Sequence, residues 1–360
     1  MAWKLFSPYL KNHLKVHLNR NNLYNRKNWI LPLLLAVLLG LIPLAASIGA
    51  VSIAPRDILR FILSLGNRGL SHSHHTILMK IRLPRVLYAG LAGAGLAVSG
   101  VVFQGIFRNP MAEPYLLGIS SGASFGAALF FLLNLPALFL PTLGVTTAAF
   151  IGGISTMLLI LAVAGRSGGD VGTLLLAGIA FGNIAQAGVS FMMMLHRDRA
   201  DKIIFWMMGS FSNADWLRIV ILLCVLLPSV TFLLLKSREL NLLTMGSEEA
   251  HSLGINPEKE SFLLLATACI ITSTIVSFSG IIGFVGLLVP HMVRMVVGSE
   301  NRRVMILSLP TGAVLMILSD LVARSLMAPS EIPVGVITAL LGGPFFLRLL
   351  QKYVKSRRIA

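Results

Sequence analysis

Charge is scarce in this chain. Asp, Glu, Lys and Arg make up 12% of its 360 residues, against about 25% in a soluble globular protein. Hydrophobic residues make up 56%, and the mean hydropathy is +0.82. A water-facing surface cannot be assembled from this set, so the composition excludes a soluble protein and indicates an integral membrane protein. Acidic residues are scarcer still, 14 against 30 Lys and Arg, for a formal net charge of +16. In a soluble chain that excess would indicate a nucleic-acid partner. In a membrane chain it reports sidedness, and no nucleic-acid partner is expected. Only two cysteines occur, Cys224 and Cys269, far apart in apolar stretches. They read as small core residues, which argues against a disulfide framework. No G-x-x-x-x-G-K-[ST] occurs, so a P-loop ATP site is excluded. C-x-x-C and H-E-x-x-H are also missing, and neither a metal nor a cofactor nor a catalytic residue is expected.

What is abundant is the long apolar run. A bilayer core about 30 Å thick needs about 20 apolar residues per helix. Such runs lie near 29–50, 83–106, 114–134, 137–164, 172–195, 215–235, 261–278, 281–297, 304–325 and 333–350. The expected fold is therefore all-α with about ten transmembrane helices. The runs are continuous rather than alternating, which excludes a transmembrane β-barrel. The seventh and eighth runs form one block broken by Gly280 and Gly283. Two short helices meeting there is the reading adopted; one long tilted helix with a re-entrant piece is the alternative. Residues 1–28 are polar and basic and do not read as a signal peptide.

Sidedness follows from the basic residues. With an even number of spans, nineteen of the 30 Lys and Arg fall on the side that holds both termini and eleven on the other. Both termini are expected inside. Three segments result: a basic cytoplasmic extension (1–28), a transmembrane domain (29–352) with a cytoplasmic loop (236–259), and a basic cytoplasmic tail (353–360). Eleven positive charges on the disfavoured side is a high number and calls for a partner.

Several polar features stand inside this apolar frame. Gly118-Ile-Ser-Ser-Gly122 fits G-x-S-x-G, but it opens an apolar helical run. It reads as small-residue packing and not as the strand–turn–helix of a nucleophile elbow. His72, His74 and His75 cluster in the first outer loop and read as a solvated loop ahead of a metal or haem contact. Ala89, Gly93 and Ala97 fall four apart on one helix face and permit a close helix contact. Gln104 and Asn109, followed by Pro110, lie at the inner end of the second run. Asn183 and Gln186 lie inside the fifth. An unpaired amide in hydrocarbon is costly, so these line a pathway or bond between helices. Asp320 and Arg324, four apart, can form an ion pair, and Arg324, the closer of the two to the surface, is alternatively placed to face outward. A proton-coupled secondary transporter using Asp320 as carrier is the alternative function, weakened because Glu331 already lies in the next outer loop. In the loop 236–259, Ser247 suits an N-cap, Glu248 and Glu249 a helix start, and Gly254 a C′ position. With the apolar stretch Leu240-Asn-Leu-Leu-Thr-Met245, this makes two short helices and a docking surface on the inner face.

At this point the sequence resembles the permease subunits of type II bacterial ABC importers, which carry iron–siderophore complexes, haem and cobalamin. The motifs run in order over nearly the whole chain from about residue 30. They are Arg82-Leu-Pro-Arg85, Gly100-Val-Val-Phe-Gln104, Asn109-Pro-Met-Ala-Glu-Pro114, Leu117-Gly-Ile-Ser-Ser-Gly-Ala123 and Trp206-Met-Met-Gly-Ser210. The strongest match is Gly280-Ile-Ile-Gly-Phe-Val-Gly-Leu-Leu-Val-Pro-His-Met-Val-Arg294. Asp320-Leu-Val-Ala-Arg324 and Glu331 to Pro344 complete the set.

The resemblance implies a ten-helix permease in a bacterial cell membrane, paired with a second copy or a close paralogue. It implies two separate ATPase subunits inside, an extracytoplasmic substrate-binding protein outside, and no enzymatic activity in this chain. The expected cargo is a metal chelate, an iron(III)–siderophore first, haem or cobalamin otherwise. By match to the family pattern, Arg82, Arg85 and Arg324 are the docking arginines for the binding protein. Glu248, Glu249, Ala250 and Gly254 belong to the ATPase-coupling loop. The inner gate falls at Asn109, Pro110, Met111 and Ala112 together with Ser167, Gly168 and Gly169. Gln104, Asn183, Gln186, Pro290 and His291 are expected along the pathway or its packing. Met111 stands where many relatives have Leu, and the extension 1–28 goes beyond the family core.

Overall fold

The computed structural model describes residues 29–49, 51, 53–63, 71–133, 144–165 and 171–357. Among the described residues every regular element is helical. The N-terminal extension, the end of the tail, and the gate residues Ser167, Gly168 and Gly169 lie outside them. Among the described residues, seven stretches are long and apolar enough to cross a membrane: Ile30–Ser47, His72–Ile106, Gly144–Val163, Gly172–Leu195, Trp216–Leu235, Pro257–Ser279 and Asn301–Ser325. Three shorter apolar helices, Ile119–Leu133, Val285–Val297 and Val334–Arg348, bring the apolar helices to the ten expected.

In chain order the helices are α1 (Ile30–Ser47), α2 (Pro55–Leu63), α3 (His72–Ile77), α4 (Leu83–Ile106), α5 (Ile119–Leu133), α6 (Gly144–Gly165), α7 (Val171–Leu195) and α8 (Arg197–Met207). There follow α9 (Trp216–Leu235), α10 (Ser237–Met245), α11 (Ser247–Ser252), α12 (Pro257–Ser279), α13 (Val285–Val297), α14 (Asn301–Ser325) and α15 (Val334–Arg357). The long apolar block does break into two helices: α12 stops at Ser279 and α13 starts at Val285. The second span begins earlier than its hydropathy indicates. A π-helical turn, Leu78–Arg82, joins α3 to α4, so one helical rod runs from His72 to Ile106.

This rod is the centre of the bundle. Nearly every residue of α4 is buried, packed by α1, α9, α12, α13 and α14. Its glycines are what allow that many neighbours. A Cβ at Gly93 would lie 2.2 Å from the Gly312 carbonyl of α14, and one at Gly100 would lie 1.8 Å from the Gly286 carbonyl of α13. The face Ala89, Gly93 and Ala97 therefore is a helix contact, made to α14. The Gly118–Gly122 segment is likewise packing: Ser120 is buried in α5, and Gly122 abuts Gly152 of α6.

Candidate functional site

The polar residues concentrate at the two ends of α4. At one end stand α2, α3, α8 and the turn 326–333, the expected outer side. Here Arg82, Arg85 and Arg324 come together, but none points outward. All three are buried. The reason lies in α1. The last four carbonyls of a helix have no partner within it, and in α1 these are Leu44 to Ser47. Arg82 Nη1 donates to Ala46 O (3.0 Å) and Ser47 O (2.9 Å), and Nη2 donates to Val51 O. Arg324 Nη2 donates to Ala45 O, and Ser47 Oγ donates to Leu44 O. Two cations also suit the negative end of the α1 dipole.

Arg85 is held differently. Its Nε lies 2.9 and 3.1 Å from the two Asp320 oxygens, and its Nη1 lies 2.8 and 2.9 Å from those of Glu331. Arg324 Nε lies 3.5 Å from Asp320 Oδ2. The expected Asp320–Arg324 pair therefore exists, but the primary partner of Asp320 is Arg85. Glu331 is no isolated loop carboxylate: it shares Arg85 with Asp320. An outward-facing Arg324 is corrected by this geometry. Asp320, 1% exposed between two guanidiniums, is built as a structural ion pair.

His72, His74 and His75 sit on α3, ten to seven residues before Arg82 on the same helical rod, with His75 edge-on to Phe61 at 5.3 Å. Among the described residues no group of three His, Cys, Asp or Glu is arranged to hold a metal ion.

Between the ends, α7 presents Asn183 and Ser190 on an exposed face, with Gln186 half-buried beside them. A membrane helix with an uncovered amide faces another protein surface or water. Gln104 is buried and donates to Leu287 O of α13 at 3.0 Å. Pro290 is buried in α13, while His291 packs edge-on against Phe345 of α15. The break between α12 and α13 is clipped from below by residues the sequence reading had not singled out. Tyr115 Oη donates to Ile282 O and accepts from Ile282 N, and Glu113 accepts from Phe284 N at 3.3 Å. Burial raises the Glu113 carboxyl above its usual range, and the Phe284 N–H opposes that rise.

At the opposite end, the expected inner side, α10 and α11 form the two short helices read from the loop 236–259. Lys236 anchors their base, 3.2 Å from Glu239 and 3.0 Å from Glu260. Ser247 is not the cap: Gly246 occupies that position, and Ser247 Oγ instead accepts from Arg108 Nη2 at 3.0 Å. Gly254 is C′ as expected. Its φ of 86°, with Gly254 N donating to His251 O and Ile255 N to Ala250 O, makes a Schellman motif. Glu248 and Glu249 are exposed, whereas Ala250 is buried with Leu240 and Leu243 in the joint between the helices. The exposed apolar side chains here are Met245 (65%) and Leu253 (58%). The turn Asn109 to Ala112 follows directly on α4. Asn109 Oδ1 accepts from Met111 N at 2.9 Å, and its carbonyl accepts from Ala112 N at 3.0 Å. Two cavities meet at Arg108: one of about 870 Å³, lined by Pro110 of the turn, toward Arg294 and Glu300, and one of about 900 Å³ toward Glu248 and His251.

Ten apolar helices among the described residues, closely packed with a polar cluster at each end and a short helix pair at one of them, are the architecture of a polytopic membrane protein. Residues 34–352 match the FecCD transport family, and the chain belongs to that family: it is the permease subunit of an ABC importer. It is 39% identical over 332 residues to the hemin transport system permease protein HmuU of Yersinia pestis, covering 91% of this chain and 96% of that one. It is 40% identical over 284 residues to the cobalamin import system permease protein BtuC of Halobacterium salinarum, covering 79% and 75%. Among solved structures, one described as an inward-facing conformation of a metal-chelate type ABC transporter superposes with a TM-score of 0.79. That match has 32% identity and covers 90% of this chain and 99% of that chain.

Proposed function

We propose that this chain forms half of the translocation pathway of an ATP-driven importer for a metal chelate. The observation that carries this reading is the α10–α11 pair. It packs onto the end of the bundle through Leu240, Leu243 and Ala250 and leaves Met245 and Leu253 exposed, a surface suited to a soluble partner. That partner is an ATPase subunit, two per complex, and the side it binds is the cytoplasm, with both termini on the same side of a bacterial cell membrane. A second copy or a close paralogue packs through the α7 face, and the pathway runs between the two α7 helices past Asn183 and Gln186. The turn Asn109 to Ala112, with Ser167 to Gly169, is the inner gate. An extracytoplasmic binding protein docks over the arginine cluster at the other end. Residues 29–352 are the transmembrane domain, flanked by basic cytoplasmic ends.

ATP closure moves the α10–α11 pair, and the two halves rock to open one gate and close the other. A pathway of this kind needs a weakly interacting wall rather than strong ligands, so cargo choice resides in the binding protein. The cargo is an iron(III)–siderophore, haem or cobalamin, the last two being the cargoes named for the relatives above. The test is uptake by proteoliposomes that hold the permease with its ATPase and binding protein, offered each labelled chelate in turn. ATP-dependent uptake of one of them is expected. Uptake that proceeds on a proton gradient without ATP would overturn the reading in favour of a secondary transporter.

A further inference from the structure

Arg108 closes α4 in an uncommon way. It is one of two non-glycine residues among the described residues with a left-handed backbone, at φ 47°, a conformation that a bulky side chain adopts only when its surroundings impose it. The reversal sends the main chain one way and the side chain the other. The main chain runs directly into Asn109 and the gate turn. The side chain reaches under α10 and α11, where Nε donates to Leu243 O at 3.2 Å and Nη2 to Ser247 Oγ at 3.0 Å. Leu243 O belongs to the last turn of α10, so it has no partner within that helix. Ser247 is the first residue of α11. One guanidinium therefore straps both sides of the elbow at Gly246. It lines both the cavity at the gate turn and the cavity under α11. Leu240 of α10 presses on the last turn of α4 just above, where a Cβ at Gly105 would meet its Cδ1 at 2.8 Å.

We infer that Arg108 is the positioning residue that makes the gate turn follow the α10–α11 elbow. This rests on the docking and gate assignments of the preceding section. Motion of the elbow pulls on a rigid planar fork with two acceptors. The fork is joined to the gate through the Arg108 backbone alone, with no flexible loop between. Lysine is not an equivalent, because a single ammonium on a flexible stem cannot hold both acceptors in a fixed geometry.

The experiment uses the full complex with its ATPase subunits in membrane vesicles, with a Met111→Cys reporter at the gate turn. Labelling by a membrane-impermeant maleimide is followed with and without Mg-ATP and vanadate, over the background of the chain carrying only Cys224 and Cys269. With Arg108 present, nucleotide should change the labelling rate by about fivefold or more. Arg108→Gly keeps the left-handed backbone at no steric cost and removes only the fork. It should abolish the nucleotide response while the ATPase subunits still co-purify and hydrolyse ATP. Arg108→Lys should restore less than half of the response. A full response in Arg108→Gly overturns the inference, and so does loss of ATPase co-purification, which would make Arg108 a mere support of the docking surface. If Arg108→Gly does not fold, Ser247→Ala removes one of the two bonds. A reduced response then supports the inference and an unchanged one overturns it. A parent that shows no nucleotide response, or holds no ATPase, instead overturns the gate or docking assignment beneath it.

Discussion

Arg85 and Asp320 stand 235 positions apart in the chain and 2.8 Å apart in space, both buried where α4 meets α14. Arg324 adds a second cation to the same carboxylate. Removing one partner of a buried ion pair leaves an uncompensated charge and costs about 3–5 kcal/mol. Asp320→Asn should therefore lower the thermal stability of the detergent-solubilised protein sharply. Replacing the whole buried set with apolar residues, Arg85→Met and Arg324→Met with Asp320→Leu, should recover much of the loss. Melting temperatures of the two variants against the parent protein test this. A fully stable Asp320→Asn protein that loses only proton-dependent uptake would restore Asp320 as a proton carrier.

Glu331 is the exposed member of the same cluster, with 41% of its side chain accessible against 9% for Arg85. It occupies the side of Arg85 that faces out, where a carboxylate of the binding protein would have to sit. If the binding protein docks over this cluster as proposed, it exchanges one carboxylate for another. Glu331→Gln should tighten binding of the binding protein by about two- to tenfold at low salt, and the gain should shrink as added salt screens the interaction. Arg82→Glu, Arg85→Glu and Arg324→Glu should each weaken it. Surface plasmon resonance on the nanodisc-embedded complex gives the affinities. Equal affinity in all four variants would remove the cluster from the docking surface.

The contact of Gly100 with Gly286 makes a steric expectation. A methyl group at Gly100 would meet the Gly286 carbonyl, carbon and Cα within 2.7 Å, and backbone cannot swing aside as a side chain can. Gly100→Ala should destabilise the bundle by about 1–3 kcal/mol through forced separation of α4 and α13. Gly40→Ala in α1, where nothing lies within 4 Å, is the control and should be neutral or slightly stabilising. Equal melting temperatures for the two variants would show that α4 and α13 are not held this closely.

Hydropathy made the ten apolar helices legible because lipid enforces long apolar runs and internally satisfied backbone. The ordered motifs added the family. What escaped was set by partners distant in the chain. Arg82 and Arg324 carry no local mark that they satisfy the orphan carbonyls of α1, because those lie 35 to 279 positions away. Both read as outward charges when only sidedness is counted. The π-helical turn at Leu78–Arg82 escaped because Lys80 and Arg82 interrupt the apolar run. Ser247 looked like a cap by residue type, yet Gly246 already holds that position, which frees the hydroxyl for Arg108. Gly254 was legible because a Schellman ending has a local signature.

On the proposed ATPase-docking surface of α10–α11, two kinds of residue play different parts. Ala250 is buried in the joint, so its role is to hold the two helices together, while Glu248 is an exposed charge and Met245 and Leu253 are exposed apolar groups. Affinity at protein interfaces concentrates in desolvated apolar anchors, and rim charges mostly tune association rate. Met245→Asp and Leu253→Asp should each reduce co-purification of the ATPase by about tenfold or more, equivalent to the loss of one interface hot spot. Glu248→Ala should change it by no more than about two- to threefold, with the difference vanishing at high salt. Quantified pull-down of the ATPase by the tagged permease at two ionic strengths reads both. Retention of the ATPase by both aspartate variants would mean that it docks elsewhere on the inner face.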